Sequence, residues 1–224
     1  MGVITAITAS PRHEGRFVVE VDGRPFATVD LAALDRLKLA IGRPIDGVAS
    51  EVERAEAELK TLDRALTMLA FRPRSRAELR RSLVRKGEEP ARVDAALERL
   101  TALGLVDDAA YARALARSKV LGPGFSRRRL QQEMFKRGVA REVGDEAIAE
   151  VLSDEAVDED AVIERVARKK LRTLEQLEPA TRRRRLYAYL ARRGFESDEI
   201  RRVVETMSRM ARADEEVDPA TGDS

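Results

Sequence analysis

Three segments of this chain repeat one pattern, and that repetition limits the possible folds more than any other feature. They read SRAELRRSLVRKG at 75–87, SRRRLQQEMFKRG at 126–138 and RRRRLYAYLARRG at 182–194. Superposed, Leu79, Leu130 and Leu186 share one column, Leu83, Met134 and Leu190 the next, and Gly87, Gly138 and Gly194 close each segment. A second helical pattern follows each glycine, with apolar positions Ala96/Leu97/Leu100, Ala147/Ile148/Val151 and Val203/Val204/Met207. Self-similarity with a period of roughly 50 residues points to an array of small helical units, none of which buries its apolar face alone. The predicted fold is mainly α: an elongated array of three three-helix repeats preceded by a small N-terminal β-hairpin module. Such an array offers an extended surface to a long partner rather than a catalytic pocket.

The start of the chain differs from the rest. VITAITA (3–9), RFVVEV (16–21) and PFATV (25–29) are rich in β-formers, and Asp22-Gly23 between the last two is a hairpin signal. LAALDRLKLAI (31–41) reads as a helix with Asp30 as its N-cap, before Gly42, Pro44 and Gly47 break the pattern. The expected organisation is a β-hairpin/helix module over 1–50, an acidic helical linker over 51–61, and three-helix repeats over 62–106, 107–153 and 154–210. A disordered acidic tail is expected over 211–224. Ser75 with Glu78 forms a capping box, Pro90 suits a first helical turn, and Ser126 and Ser197 are further cap candidates.

Chemistry is sparse. Cysteine is absent and histidine occurs once, at His13 in a predicted loop, so neither a nucleophile–histidine pair nor a transition-metal site is expected. Asp107-Asp108 sits where a helix begins and reads as capping. Gly122-Pro123-Gly124 lacks the Lys-Ser/Thr of a phosphate loop and reads as a bend between helices. Tyr111, Tyr187 and Tyr189 fall at apolar helical spacing and read as core rather than as stacking platforms. The expectation is a non-enzyme with no cofactor and no metal. No secretory signal and no long apolar run is visible, so a cytoplasmic protein without a membrane partner is expected.

Charge is more informative in its distribution than in its total, which is +2. Residues 72–141 carry 18 Lys/Arg against 8 Asp/Glu, residues 142–160 carry nine acids and no base, and residues 165–202 carry 13 bases against five acids. Alternating blocks suit a partner with patterned charge, such as DNA or a nucleoprotein. The candidate partner-binding residues are Arg127, Arg128, Arg129, Gln131, Gln132, Lys136 and Arg137 of the second repeat, and Arg182, Arg183 and Arg184 of the third. With Leu130 and Met134 turned inward, Arg127, Arg128, Gln131 and Gln132 are expected to project away from the core.

Four stretches carry a resemblance: ALTMLAFRPRSRAELRRSLVRKG, LTALGLVDDAAYARALARSK, GFSRRRLQQEMFKRGV and YLARRGFESDEI. Together they resemble the RecX family of regulators of the RecA recombinase over about residues 62–207, with Met134 where a leucine is usual. The resemblance implies a non-enzymatic modulator that binds RecA, chiefly as its filament on single-stranded DNA, and restrains strand exchange in DNA recombination, repair and the SOS response. It implies a protein, here expected to be a monomer, that lies along the filament groove and touches more than one protomer; single-stranded DNA itself is a possible further partner. The competing reading is a direct DNA-binding protein built from tandem helix-turn-helix-like units. Against it, the middle helices end at glycine without a base-reading cluster at their starts, and the total charge is near neutral.

Overall fold

A computed structural model of the protein describes residues 2–217. Strands β1 (Ile4–Ala9), β2 (Arg16–Val21) and β3 (Arg24–Asp30) form an antiparallel sheet in the order β1-β2-β3. The hairpin expected from Asp22-Gly23 is present, with both turn residues at positive φ, as a two-residue type I′ connection requires. The 3–9 run adds a third strand to it. Val19 pairs with Ile7 on one side and Ala27 on the other, and Ile4, Val19, Ala27 and Val29 form the buried face.

Helix α1 (Leu31–Arg36) is capped by the Asp30 carboxylate, which accepts from the Ala33 N–H at 2.9 Å. It is shorter than the 31–41 expected. Lys38 turns left-handed, and the Arg43 guanidinium donates to the freed carbonyls of Leu37 and Lys38 at 2.7 and 2.6 Å. The last turn of α1 itself is closed by backbone, with the Leu37, Leu39 and Lys38 N–H groups donating to the carbonyls of Ala33, Leu34 and Asp35. Leu37 and Leu39 instead pack against the sheet core.

Helix α2 (Ala49–Phe71) corrects the expected linker at 51–61. Its first half buries Val52 and Ala55 against the sheet, and its second half buries Leu62 and Ala65 against α3 (Arg76–Arg85) and α4 (Pro90–Ala102). Residues 51–61 are thus core-forming helix: Val52, Ala55 and Leu59 are buried, and Glu56 accepts from the Thr28 N–H of β3 at 3.1 Å. An Arg16–Asp63 ion pair fastens β2 to α2, and Glu88 from the α3–α4 turn accepts from Thr61 and Arg64.

The chain divides into two compact units, the second beginning at Asp107. It holds one triplet of α5 (Asp108–Leu121), α6 (Arg127–Arg137) and α7 (Arg141–Asp154), and another of α8 (Glu159–Arg172), α9 (Pro179–Ala191) and α10 (Ser197–Val217). Asp107 caps α5 by accepting from Ala109 and Ala110, as read from the sequence. Both triplets share one apolar cluster. The leucine columns lie in the cores: Leu79, Leu130 and Leu186 are at most 1% exposed, as are Leu83 and Leu190.

Two expectations at the C-terminal end need correction. Ser197 is the first residue of α10 rather than its cap, and its hydroxyl accepts from Tyr187 Oη at 3.0 Å. The tail expected to be disordered over 211–224 is helical over 211–217, because Ala211, Arg212, Ala213, Glu215 and Glu216 favour helix and no glycine or proline intervenes. Residues 218–224 lie outside the described residues.

Because Leu130 is buried and Arg128 is exposed, Leu130→Ala should cost about 2–5 kcal/mol. Arg128→Ala should cost less than ~1 kcal/mol, even though its guanidinium reaches Glu196. Urea denaturation of the two variants should rank them in that order.

Candidate functional site

Helix α6 starts where Ser126 accepts from the Arg129 N–H, and its sequence RRRLQQEMFKR turns Leu130 and Met134 into the core. The remaining positions divide between solvent and the neighbouring helices. The structure spends most of the charge of this helix internally. Arg127 donates to Glu159 of α8 at 2.8 Å, and Arg128 donates to Glu196 before α10 at 2.6 Å. Gln131 donates to Asp145 of α7 at 2.7 Å. Arg129 and Arg137 clamp Glu133 at 2.9 and 2.6 Å. The Arg137 hydrogen bond, reinforced by the positive charge of Arg129 and Lys136, holds the Glu133 carboxyl below the usual carboxylate range. Arg129 also covers the Phe125 ring at 5.5 Å. Arg127, Arg129, Gln131 and Arg137 are therefore half-buried, whereas Arg128, Gln132 and Lys136 are exposed. This corrects the expectation that Arg127 and Gln131 project freely.

The Arg127–Glu159 and Arg128–Glu196 pairs belong to a seam between the two triplets, beside the Gly122–Ser126 loop. The Ser126 N–H donates to the Arg193 carbonyl at 3.1 Å, and Arg193 Nε donates to the Pro123 carbonyl at 2.7 Å. Arg165 of α8 caps the end of α5, donating to the carbonyls of Val120 and Leu121 at 2.6 and 3.0 Å. Gly124 and Gly194 permit the approach. A Cβ on Gly124 would stand 2.2 Å from Val166, and one on Gly194 would stand 2.7 Å from both Arg129 Cβ and Ser126 Oγ. The GPG sequence, read as a bend, is thus also the surface on which the third triplet seats.

The third triplet is different. Arg182, Arg183, Arg184 and Arg185 fill the first turns of α9, the last three exposed, and among the described residues none of the four forms an ion pair or a side-chain hydrogen bond. Glu178 caps this helix by accepting from the Thr181 N–H at 3.1 Å, and its backbone hydrogen bonds hold its carboxyl below the usual range. Only residues 173–178 separate α8 from α9, so Lys169 and Arg172 at the end of α8 lie at the same corner. Tyr189 is packed into the core edge with Arg193 at 3.6 Å and Lys170 at 5.2 Å over its ring, so its face is already occupied.

Sequence reasoning found both arginine runs but could not separate them. The Arg129–Glu133–Arg137 clamp is legible as i,i+4 spacing. Glu159 and Glu196 lie 32 and 68 residues from their partners and leave no local signal. The seam residues Arg165 and Arg193 give no sequence signal for the same reason, and Gly194 reads from the sequence only as the end of its segment. Among the described residues, no helix is long and apolar enough to cross a membrane.

Tandem three-helix domains with a basic middle helix define a class of helical-repeat proteins. Comparison with known families identifies residues 62–100, 107–148 and 158–204 as the first, second and third three-helix domains of RecX. The chain belongs to the RecX family. It is 35% identical over 136 residues to the regulatory protein RecX of Pelodictyon phaeoclathratiforme, covering 61% of this chain and 81% of that one. It is 34% identical to the RecX of Chlorobium phaeobacteroides, covering 67% and 95% of the two chains. A crystal structure of regulatory protein RecX superposes with a TM-score of 0.72 at 20% identity, over 92% of this chain and all of that one. The RecX of Lactobacillus salivarius gives 0.56 at 18% identity, over 69% and 98%.

Gly194 combines a φ of +89° with contacts that leave no room for a Cβ, so Gly194→Ala should destabilise the second unit by about 2 kcal/mol or more. An unchanged urea midpoint would contradict the tight seam. Glu133 makes a second prediction. Its folded pKa is depressed, so its contribution is present above the unfolded pKa and is lost as pH falls through the folded one. The stability difference between the parent and Glu133→Gln should therefore be largest at neutral pH and shrink below about pH 4. Denaturation at pH 7 and pH 3 measures it.

Proposed function

We propose that this protein binds the RecA recombinase, chiefly as its filament on single-stranded DNA, and restrains strand exchange without chemistry of its own. The observation that carries the reading is the free arginine corner of α9, in a chain whose relatives are named regulatory proteins. Cations that make no internal ion pair or side-chain hydrogen bond have none to give up when they meet a carboxylate or phosphate surface. Arg182, Arg183 and Arg184 are accordingly the leading contacts, with Arg128, Gln132 and Lys136 of α6 as exposed additions. Arg127, Arg129, Gln131 and Arg137 act by holding the α6 face and the seam in place. We place the protein in the cytoplasm as a monomer, in recombination and repair.

The same corner also suits bare phosphodiesters, which keeps direct DNA binding as a second reading. A salt series on naked DNA separates the two, because phosphate-only binding collapses steeply between 50 and 200 mM salt.

Reversing Arg183 and Arg184 to Glu should weaken filament binding by about tenfold or more while changing the melting temperature little, since neither side chain makes an ion pair or side-chain hydrogen bond and the pull of Arg183 on Glu178 is a minor one. Reversing Arg127 and Arg128 should behave differently. It sets new carboxylates against Glu159 and Glu196 and so lowers thermal stability as well as binding. Strand-exchange inhibition and thermal unfolding, measured on both double variants, test the distinction. Full inhibition by a folded Arg183/Arg184 reversal would move the contact elsewhere.

A further inference from the structure

The three triplets can be compared position by position, and two positions of the second one depart from the others. The first is Gly144 on α7. Its counterparts, counted back from Leu97, Ile148 and Val204, are Val93 and Ile200, which are 0% and 1% exposed and fill the space beside the middle helix. In the second triplet that space holds no side chain from α7, and Met134 leans in, with Sδ 3.1 Å from where a Gly144 Cβ would stand. A recess of about 280 Å³ remains between α6 and α7, its floor made by Met134, Val139, Ala140 and Gly144.

The second departure is Phe135, which borders this recess. Its counterparts are Val84 and Ala191, so the position points outward in every triplet and needs no large side chain for folding. Phe135 is nevertheless 80% exposed. An exposed phenylalanine beside an apolar recess costs solvation and gains nothing for the fold, which is the usual mark of a contact residue.

The polar rim indicates what docks there. Asp145 is held by Gln131 at 2.7 Å and by Arg141 at 3.6 Å, and Glu142 falls on the opposite side of α7 from Gly144. Arg141 lines the recess and keeps its side chain 85% exposed. It is therefore the rim group that a partner carboxylate meets, and the floor favours an aliphatic or aromatic group.

We infer that the recess between α6 and α7, with Phe135 at its edge, is a socket for an apolar side chain of the recombinase, carried on a segment with carboxylates beside that anchor. This rests on the recombinase reading above and adds a dry, shape-dependent contact to the salt-sensitive one on α9. The two contacts differ in kind, and a salt series distinguishes them.

The test uses the full chain with Phe135→Ala, Phe135→Leu, Gly144→Ala and Arg141→Glu, measured against RecA filaments on single-stranded DNA, with naked single-stranded DNA alongside. Phe135 is exposed, so its variants should melt with the parent. Phe135→Ala should weaken filament binding by about tenfold or more at high and low salt alike, with Phe135→Leu recovering much of the loss. Gly144→Ala should weaken binding by narrowing the recess, and Arg141→Glu should weaken it mainly at low salt. Parent-level binding by folded Phe135→Ala would overturn the socket while leaving the recombinase reading intact. Absence of filament binding by the parent would overturn both. Loss of naked-DNA binding by the same factor would assign Phe135 to base stacking instead. A change in self-association on sedimentation would assign the recess to a second copy, and either of these last outcomes also overturns the inference.

Discussion

The apolar cluster shared by the two triplets, closed where the Ser126 amide meets the Arg193 carbonyl, is what the second unit depends on. A three-helix triplet of about 45 residues buries too little apolar surface to be robust alone. Here two triplets share one cluster that runs from Ala112 to Val204, and backbone-level proximity at Gly124 and Gly194 makes the sharing possible. The side-chain pairs Arg127–Glu159 and Arg128–Glu196 then close over the seam. The first is part-buried and the second exposed, so they orient more than they stabilise. The energetic weight lies in Leu130, Ile163, Leu186 and their neighbours, all buried to within a few per cent.

Charge has two uses in this unit, and position decides between them. On α6 the arginines face acids from α6 itself, α8 and the start of α10, and are absorbed into the architecture. On α9 an equally dense run meets no acid among the described residues beyond Glu178, which is occupied with capping. A count of basic residues therefore overstates the charge available to a partner in the second triplet. The available charge and the apolar recess lie on different triplets.

Much of the fold was legible because its determinants are local. The leucine columns, the Asp22-Gly23 turn, the Ser75 and Ser126 caps and the Asp107 cap are all short-range signals, and each is present. The misreadings arose where tertiary contacts override local pattern. Arg43 fixes the turn after α1 by reaching back to the carbonyls of Leu37 and Lys38, and the packing of Val52 and Ala55 on the sheet turns the expected linker into core. The candidate site was legible as composition but not as geometry. Nothing near Arg127 in the chain announces Glu159. Phe135 and Gly144 stand out only when the buried or exposed state of their counterparts Val93, Ile200, Val84 and Ala191 is known.

Helix α2 has a consequence for how the first unit can come apart. One continuous rod of 23 residues supplies Val52 and Ala55 to the sheet core and Leu62 and Ala65 to the first triplet. A helix transmits fraying poorly through its middle, because each turn is held by the hydrogen bonds of the turns beside it. The sheet and the first triplet are thereby coupled into one cooperative element, and the natural-looking cut at residue 62, where the repeat begins, falls inside a helix that both halves need. The evolutionary module and the folding module of this protein have different boundaries.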